Sequence, residues 1–138
     1  MTQLTAEQRD EFLAATRYAT LIHHNADGHP IAVPVWYEWD GKSVSMFTHV
    51  STPKMRHLKT DPRVSVLVTN FPQEQETWVR FEGAVTFGPG GLEMAEGVLD
   101  RYWPEGDPRR PQFEGWRSAP DDWPKMELVP ERIVTHRE

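Results

Sequence analysis

The chain contains no cysteine. That single absence removes disulfide scaffolds, thiolate metal sites and cysteine nucleophiles. Long apolar runs are missing too, and no stretch approaches the roughly 20 residues that a membrane helix requires. The opening Met1-Thr2-Gln3-Leu4-Thr5-Ala6-Glu7-Gln8-Arg9 holds no apolar signal core, so a cytoplasmic protein without a membrane partner is expected. Basic residues are in deficit: 15 Lys and Arg against 21 Asp and Glu give a net charge of −6. They are scattered among the acids, which argues against nucleic acid as a partner, because a phosphate backbone demands a basic face. Metal-ligand spacing is also lacking. His23 and His24 are adjacent and point to opposite faces of a strand, and no His-x-x-x-His pair occurs, so no metal site is expected. No Ser–His–Asp arrangement can be drawn from spacing, and no acid–base residue stands out as catalytic.

What is abundant is tryptophan and proline, six and twelve residues in a chain of 138. That length suits one domain, residues 1–138, with a core that needs no staple. Each of Trp36, Trp78, Trp103 and Trp116 suits a core or an interface, or a flat ligand.

The pattern along the chain is mainly β. Thr5-Ala6-Glu7-Gln8 is a capping box that predicts a helix from about Ala6 to Arg17. Tyr18 to His24 reads as a strand, and Asn25-Ala26-Asp27-Gly28 as a turn. Ile31, Val33, Val35, Tyr37 and Trp39 alternate with Ala32, Pro34, Trp36 and Glu38, which predicts one continuous two-faced strand. Pro34 cannot donate to a ladder, so that strand lies at an edge or carries a bulge. Asp40-Gly41 turns the chain into a partner strand from Ser43 to Thr48. A strand from Arg63 to Asn70 follows a short helix. Next comes a long strand with Val79, Phe81, Gly83, Val85 and Phe87 on one face. Leu92 to Trp103 carries a helical apolar stripe. Pro104 to Pro120 reads as irregular, and Lys125 to Thr135 as one last strand interrupted at Pro130. About six strands in hairpin order favour a small antiparallel barrel with peripheral helices.

One stretch bears chemistry. Phe47-Thr48-His49-Val50-Ser51-Thr52-Pro53-Lys54 runs from a strand end through hydroxyl residues into a helix that opens on Thr-Pro-Lys. Free N–H groups, a partial positive charge and a lysine in the first turn suit a phosphate. The same residues also suit an ordinary capped helix, with Thr52 as N-cap and Pro53 at the first helical position.

The order of elements resembles the pyridoxamine 5′-phosphate oxidase-like, flavin-binding split-barrel family. The resemblance rests on Ala32-Val33-Pro34-Val35-Trp36-Tyr37, Asp40-Gly41, Phe47-Thr48-x-x-x-Thr52-Pro53-Lys54, Leu58-x-x-Asp61-Pro62-Arg63-Val64 and Glu82-Gly83, spread over residues 19–87. It implies a six-stranded antiparallel split barrel of Greek-key type. It also implies a homodimer with the cofactor at the subunit interface, and oxidoreductase chemistry by hydride transfer on a small-molecule substrate. By that resemblance the main chain of Val33, Pro34 and Val35, with Trp36, lines a flavin ring. Phe47 and Thr48 touch the ring or its ribityl chain, Ser51, Thr52 and Lys54 hold the phosphate, and Trp78 lies near the ring. FMN is the cofactor expected first and the deazaflavin coenzyme second, while a few relatives bind haem. The chain departs from the oxidase itself at Pro53 and Ala32, where the oxidase has arginines. It departs again at Arg132-Ile133-Val134-Thr135-His136-Arg137, so the general flavin or deazaflavin branch is expected and pyridoxamine phosphate is not the expected substrate.

Overall fold

The computed structural model describes residues 2–138. Helix α1 spans Ala6–Ala14 and opens on the expected capping box: Gln8 N–H donates to Thr5 Oγ1 at 3.1 Å, and Thr5 N–H to Gln8 Oε1 at 2.9 Å. It stops short of Arg17, whose guanidinium instead turns inward to donate to the Phe12 carbonyl at 3.1 Å and to pair with Glu74. Strand β1 (Ala19–His24) and β2 (Pro30–Val35) form a hairpin, then come β3 (Glu38–Trp39), β4 (Val44–Phe47), α2 (Pro53–Thr60), β5 (Arg63–Thr69) and β6 (Thr77–Gly88). Helices α3 (Gly91–Tyr102) and α4 (Pro111–Trp116) precede β7 (Lys125–Leu128) and β8 (Arg132–Arg137).

Eight strands form one antiparallel sheet in the order β2-β1-β5-β6-β7-β4-β3, with β8 added to β6. The fold is a split barrel: its two edge strands, β2 and β3, are separated in sequence by only Trp36 and Tyr37. The expected continuous strand from Ile31 to Trp39 is therefore broken. Tyr37 leaves the ladder because its hydroxyl is buried against the Leu13 carbonyl at 2.8 Å, while its N–H donates to the Tyr102 hydroxyl at 3.3 Å. Pro34 sits on the edge strand, where a missing N–H costs no ladder bond.

The count of about six strands is also corrected by the region after Leu128. Pro130 ends β7, and Glu131 N–H donates to the Glu82 carbonyl at 2.9 Å. β8 then restarts on the other half of the long strand β6. Pro104–Pro120, expected to be irregular, contains α4, which opens on Pro111 and buries Phe113. The core holds the face foreseen on β6, with Val79 and Phe81 fully buried among Leu13, Leu21, Tyr37, Met46, Val66, Met126 and Leu128. Among the described residues, no helix is long and apolar enough to cross a membrane.

Candidate functional site

The residues expected to meet a cofactor fall into three places. Val33, Pro34 and Val35 lie on the edge strand β2. Val33 and Val35 turn their side chains toward the core, so what β2 offers outward is Pro34 and main chain. Thr48, Ser51, Thr52 and Lys54 lie together at the junction of β4 and α2. The third place is elsewhere: Trp78 is on β6, three strands from β2 across the sheet, or about 14 Å at the usual strand spacing. Its ring stacks on His136 at 5.6 Å, and the Arg80 guanidinium lies 5.5 Å from it. Within one chain, Trp78 and the β2 edge do not meet.

Trp36 and Phe47 are packed among other aromatic rings. Trp36 stacks flat on Tyr102 at 4.8 Å and meets Trp103 edge-on at 4.8 Å and Phe47 at 5.5 Å. Phe47 also faces Trp116 and Trp123 at 5.9 and 6.0 Å. These rings form an aromatic cluster that fastens α3 and α4 to the barrel.

The β4–α2 junction is built by hydrogen bonds that leave the helix end open. Thr52 Oγ1 donates to the His49 carbonyl at 2.9 Å, so the 3.1 Å contact with Thr48 Oγ1 is donated by Thr48. Thr52 is thus the N-cap residue of α2 without a side-chain cap bond. Ser51 N–H and hydroxyl both approach His49 Nδ1, at 3.1 and 2.7 Å. Nδ1 is therefore the acceptor, and the imidazole proton sits on Nε2, 3.9 Å from Asp122. The loop is tied down from outside by Val50 N–H donating to the Asp122 carbonyl at 2.9 Å. Lys54, in the first turn of α2, is half-buried and has no ion pair or hydrogen bond among the described residues. Burial holds its ammonium below the usual lysine range. A helix N-terminus without a side-chain cap and a desolvated, unpaired ammonium make a place for one anionic group, while the Thr48 and Thr52 hydroxyl protons are spent within the loop.

Sequence reasoning missed what lies one turn further along α2. His23, fully buried on β1, has its Nε2 3.3 Å from His57 Nδ1, and its own Nδ1 has no partner. The signal was present: His23 shares the inward parity of Ala19 and Leu21, and His57 follows Lys54 by three residues on one helix face. Burial lowers the His23 pKa, reinforced by the charges of His57, Lys54 and His24. A histidine depressed on folding contributes stability above its unfolded pKa, near 6.5, and that stability is lost as pH falls through the folded value. We expect His23→Leu to flatten the fall in stability as pH drops below the ordinary histidine value of about 6.5, read by urea unfolding at each pH. An unchanged slope would show that His23 does not take up a proton on unfolding.

The model of the family described as Pyridoxamine 5'-phosphate oxidase matches residues 5–126. The chain belongs to that family. Among solved structures, it is similar to the conserved hypothetical protein Rv2991 from Mycobacterium tuberculosis, with 23% identity and a TM-score of 0.78 over 99% of this chain and 90% of that one. An F420 reductase matches with 21% identity and a TM-score of 0.71 over 90% and 94% of the two chains. A FAD and heme binding protein from Mycobacterium smegmatis matches with 17% identity and a TM-score of 0.74 over 97% and 71%. At these identities the likeness is one of fold. No curated protein matches the chain.

Proposed function

We propose that the protein is a homodimeric oxidoreductase that binds FMN at the subunit interface and acts on a small molecule. The observation that carries this reading is Lys54: a half-buried ammonium without a counter-ion, at a helix N-terminus without a side-chain cap. Burying a cation unpaired is unfavourable, and a ligand phosphate relieves it. The exposed edge of β2 around Pro34 supplies a flat main-chain wall for the ring. Trp78, remote within its own chain, reaches the ring from the partner subunit.

A bound flavin supplies hydride transfer at its ring. The chain's part is to hold and orient. Lys54 fixes the phosphate end. Thr48 and Thr52 join it by turning their hydroxyl protons from each other and from the His49 carbonyl to the ligand, and the loop bonds from His49 and Asp122 hold the loop in place. No side chain at the junction is placed as a general acid or base, so solvent protonates the product.

The deazaflavin coenzyme is the second reading, and one observation favours it. The junction presents one unpaired cation, with Pro53 beside it where a second charge would be. One cation matches a singly charged phosphodiester, as in the deazaflavin coenzyme, more closely than the doubly charged monoester of FMN. The relative titled F420 reductase shares the fold, which is in keeping with this reading.

Titration of the protein with each cofactor, followed by visible absorption, tests both. We expect saturable FMN binding, weakened by about 1.5–3 kcal/mol in Lys54→Ala, with unfolding unchanged. Equal affinity in the variant would remove the phosphate from this junction. Tighter binding of the deazaflavin would reverse the order of the two readings. A Soret band on haem addition without flavin binding would displace both.

A further inference from the structure

A second cluster lies away from the β4–α2 junction, where β6 and β8 begin and end. Register places Thr77 opposite Arg137, so the next pair outward is Glu76 against Glu138, whose N–H donates to the Glu76 carbonyl at 3.1 Å. The Gln75 side-chain amide also donates to the Glu138 carbonyl. The backbone thus pins two carboxylates opposite each other, a pairing that costs stability when nothing positive lies between them.

His136 fills that position. It is two residues before Glu138, on the same face, and its Nε2 is 3.8 Å from a carboxylate oxygen of each glutamate. The three donor atoms all lie within 4.8 Å of one another. The His136 side chain is only 10% exposed, yet it makes no hydrogen bond among the described residues: Nε2 is beyond hydrogen-bond reach of either carboxylate, and Nδ1 is buried without a partner. Stacking on Trp78, with 15° between the ring planes, fixes the direction in which Nε2 points.

We propose that Glu76, His136 and Glu138 form a divalent metal site that takes Zn²⁺, with a fourth position left to water. Ligand atoms about 2.0–2.2 Å from a tetrahedral ion lie roughly 3.4 Å from each other, so the 3.8 Å separations of His136 from each glutamate need to close by about 0.4 Å and the glutamates, within 4.8 Å of each other, by up to about 1.4 Å. The two glutamate side chains are exposed and free to move that far. One imidazole and two carboxylates suit a first-row transition metal, whereas Ca²⁺ and Mg²⁺ take oxygen ligands. Spacing in the sequence could not show this, because Glu76 and His136 meet only through the pairing of β6 with β8. The bound ion clasps β8 to β6 beside Trp78, and it does so whichever cofactor the protein holds.

Calorimetric titration of the full chain with ZnCl₂ near pH 7.5, together with thermal unfolding, tests the assignment. We expect one equivalent of Zn²⁺ to bind and raise Tm, with no rise from Mg²⁺ or Ca²⁺. Glu76→Gln with Glu138→Gln, both at exposed positions, should lose at least about tenfold in Zn²⁺ affinity, as should His136→Gln. If His136→Gln fails to fold, the double glutamine variant still decides. Unchanged Zn²⁺ affinity in that variant would overturn the site and place the ion at other histidines, such as His23 and His57. No saturable binding to the parent chain would also overturn it.

Discussion

Gly91→Ala is expected to lose a large part of the folded state. A Cβ at Gly91 would stand 2.0 Å from the Trp123 carbonyl oxygen and 2.7 Å from the Pro124 carbonyl carbon. Those are backbone atoms, so no side chain can swing aside. Helix α3 would have to lift from the segment that enters β7. That helix carries Leu92, Ala95 and Leu99 onto the tryptophan cluster, so the movement opens the cluster as well. A cost of about 3 kcal/mol or more follows from overpacking against a rigid wall, a large share of the roughly 5–15 kcal/mol that holds a domain together. Gly97, in the same helix, provides the contrast. It is exposed, and a Cβ there meets nothing closer than a Glu38 carboxylate oxygen at 3.9 Å. Gly97→Ala should gain about 0.5–1 kcal/mol from helix propensity. Urea unfolding of the two variants separates packing from propensity, and equal midpoints would contradict the close approach at Gly91.

The sequence exposed most of the barrel because its signals were local. Alternation on β6, the Asp40-Gly41 turn and the Thr5–Gln8 capping box each need only neighbouring residues, and each is present as read. The errors arose where a distant partner decided the outcome. The strand pattern continues through Trp36 and Tyr37, but the Leu13 carbonyl and the Tyr102 hydroxyl draw Tyr37 off the ladder. Pro130 reads as an interruption within one strand, yet β7 and β8 pair with different halves of β6. At the candidate site, Thr52-Pro53-Lys54 was legible because a helix start is written in three residues. That Thr52 turns its hydroxyl away from the helix, leaving the N-terminus open, depends on Thr48 and the His49 carbonyl and could not be read from spacing. The His23–His57 contact and the Glu76–His136–Glu138 group depend on long-range pairing in the same way.

Trp36 is where the resemblance and the packing pull apart, and a single substitution distinguishes them. Its place in the family motif implies a cofactor contact. Its ring, however, is committed to Tyr102 on one face and to Trp103 and Phe47 at its edges. Truncating such a ring removes aromatic contacts and leaves a void that α3 cannot collapse into while Gly91 is seated against Trp123. Trp36→Ala should therefore cost about 3 kcal/mol, a fall in Tm of roughly 10 °C for a chain of this size. Trp36→Phe, which keeps a ring against Tyr102, should recover most of it. FMN affinity of the folded Trp36→Ala molecules should change by less than about threefold, or 0.7 kcal/mol, because the ring is held within the aromatic cluster. Lys54→Ala should do the reverse, with affinity lost and stability kept. The pair of variants thus assigns each residue to packing or to binding by which of two independent measurements moves. Loss of FMN binding in Trp36→Ala at an unchanged Tm would return the ring to the cofactor and require the aromatic cluster to open when the ligand binds.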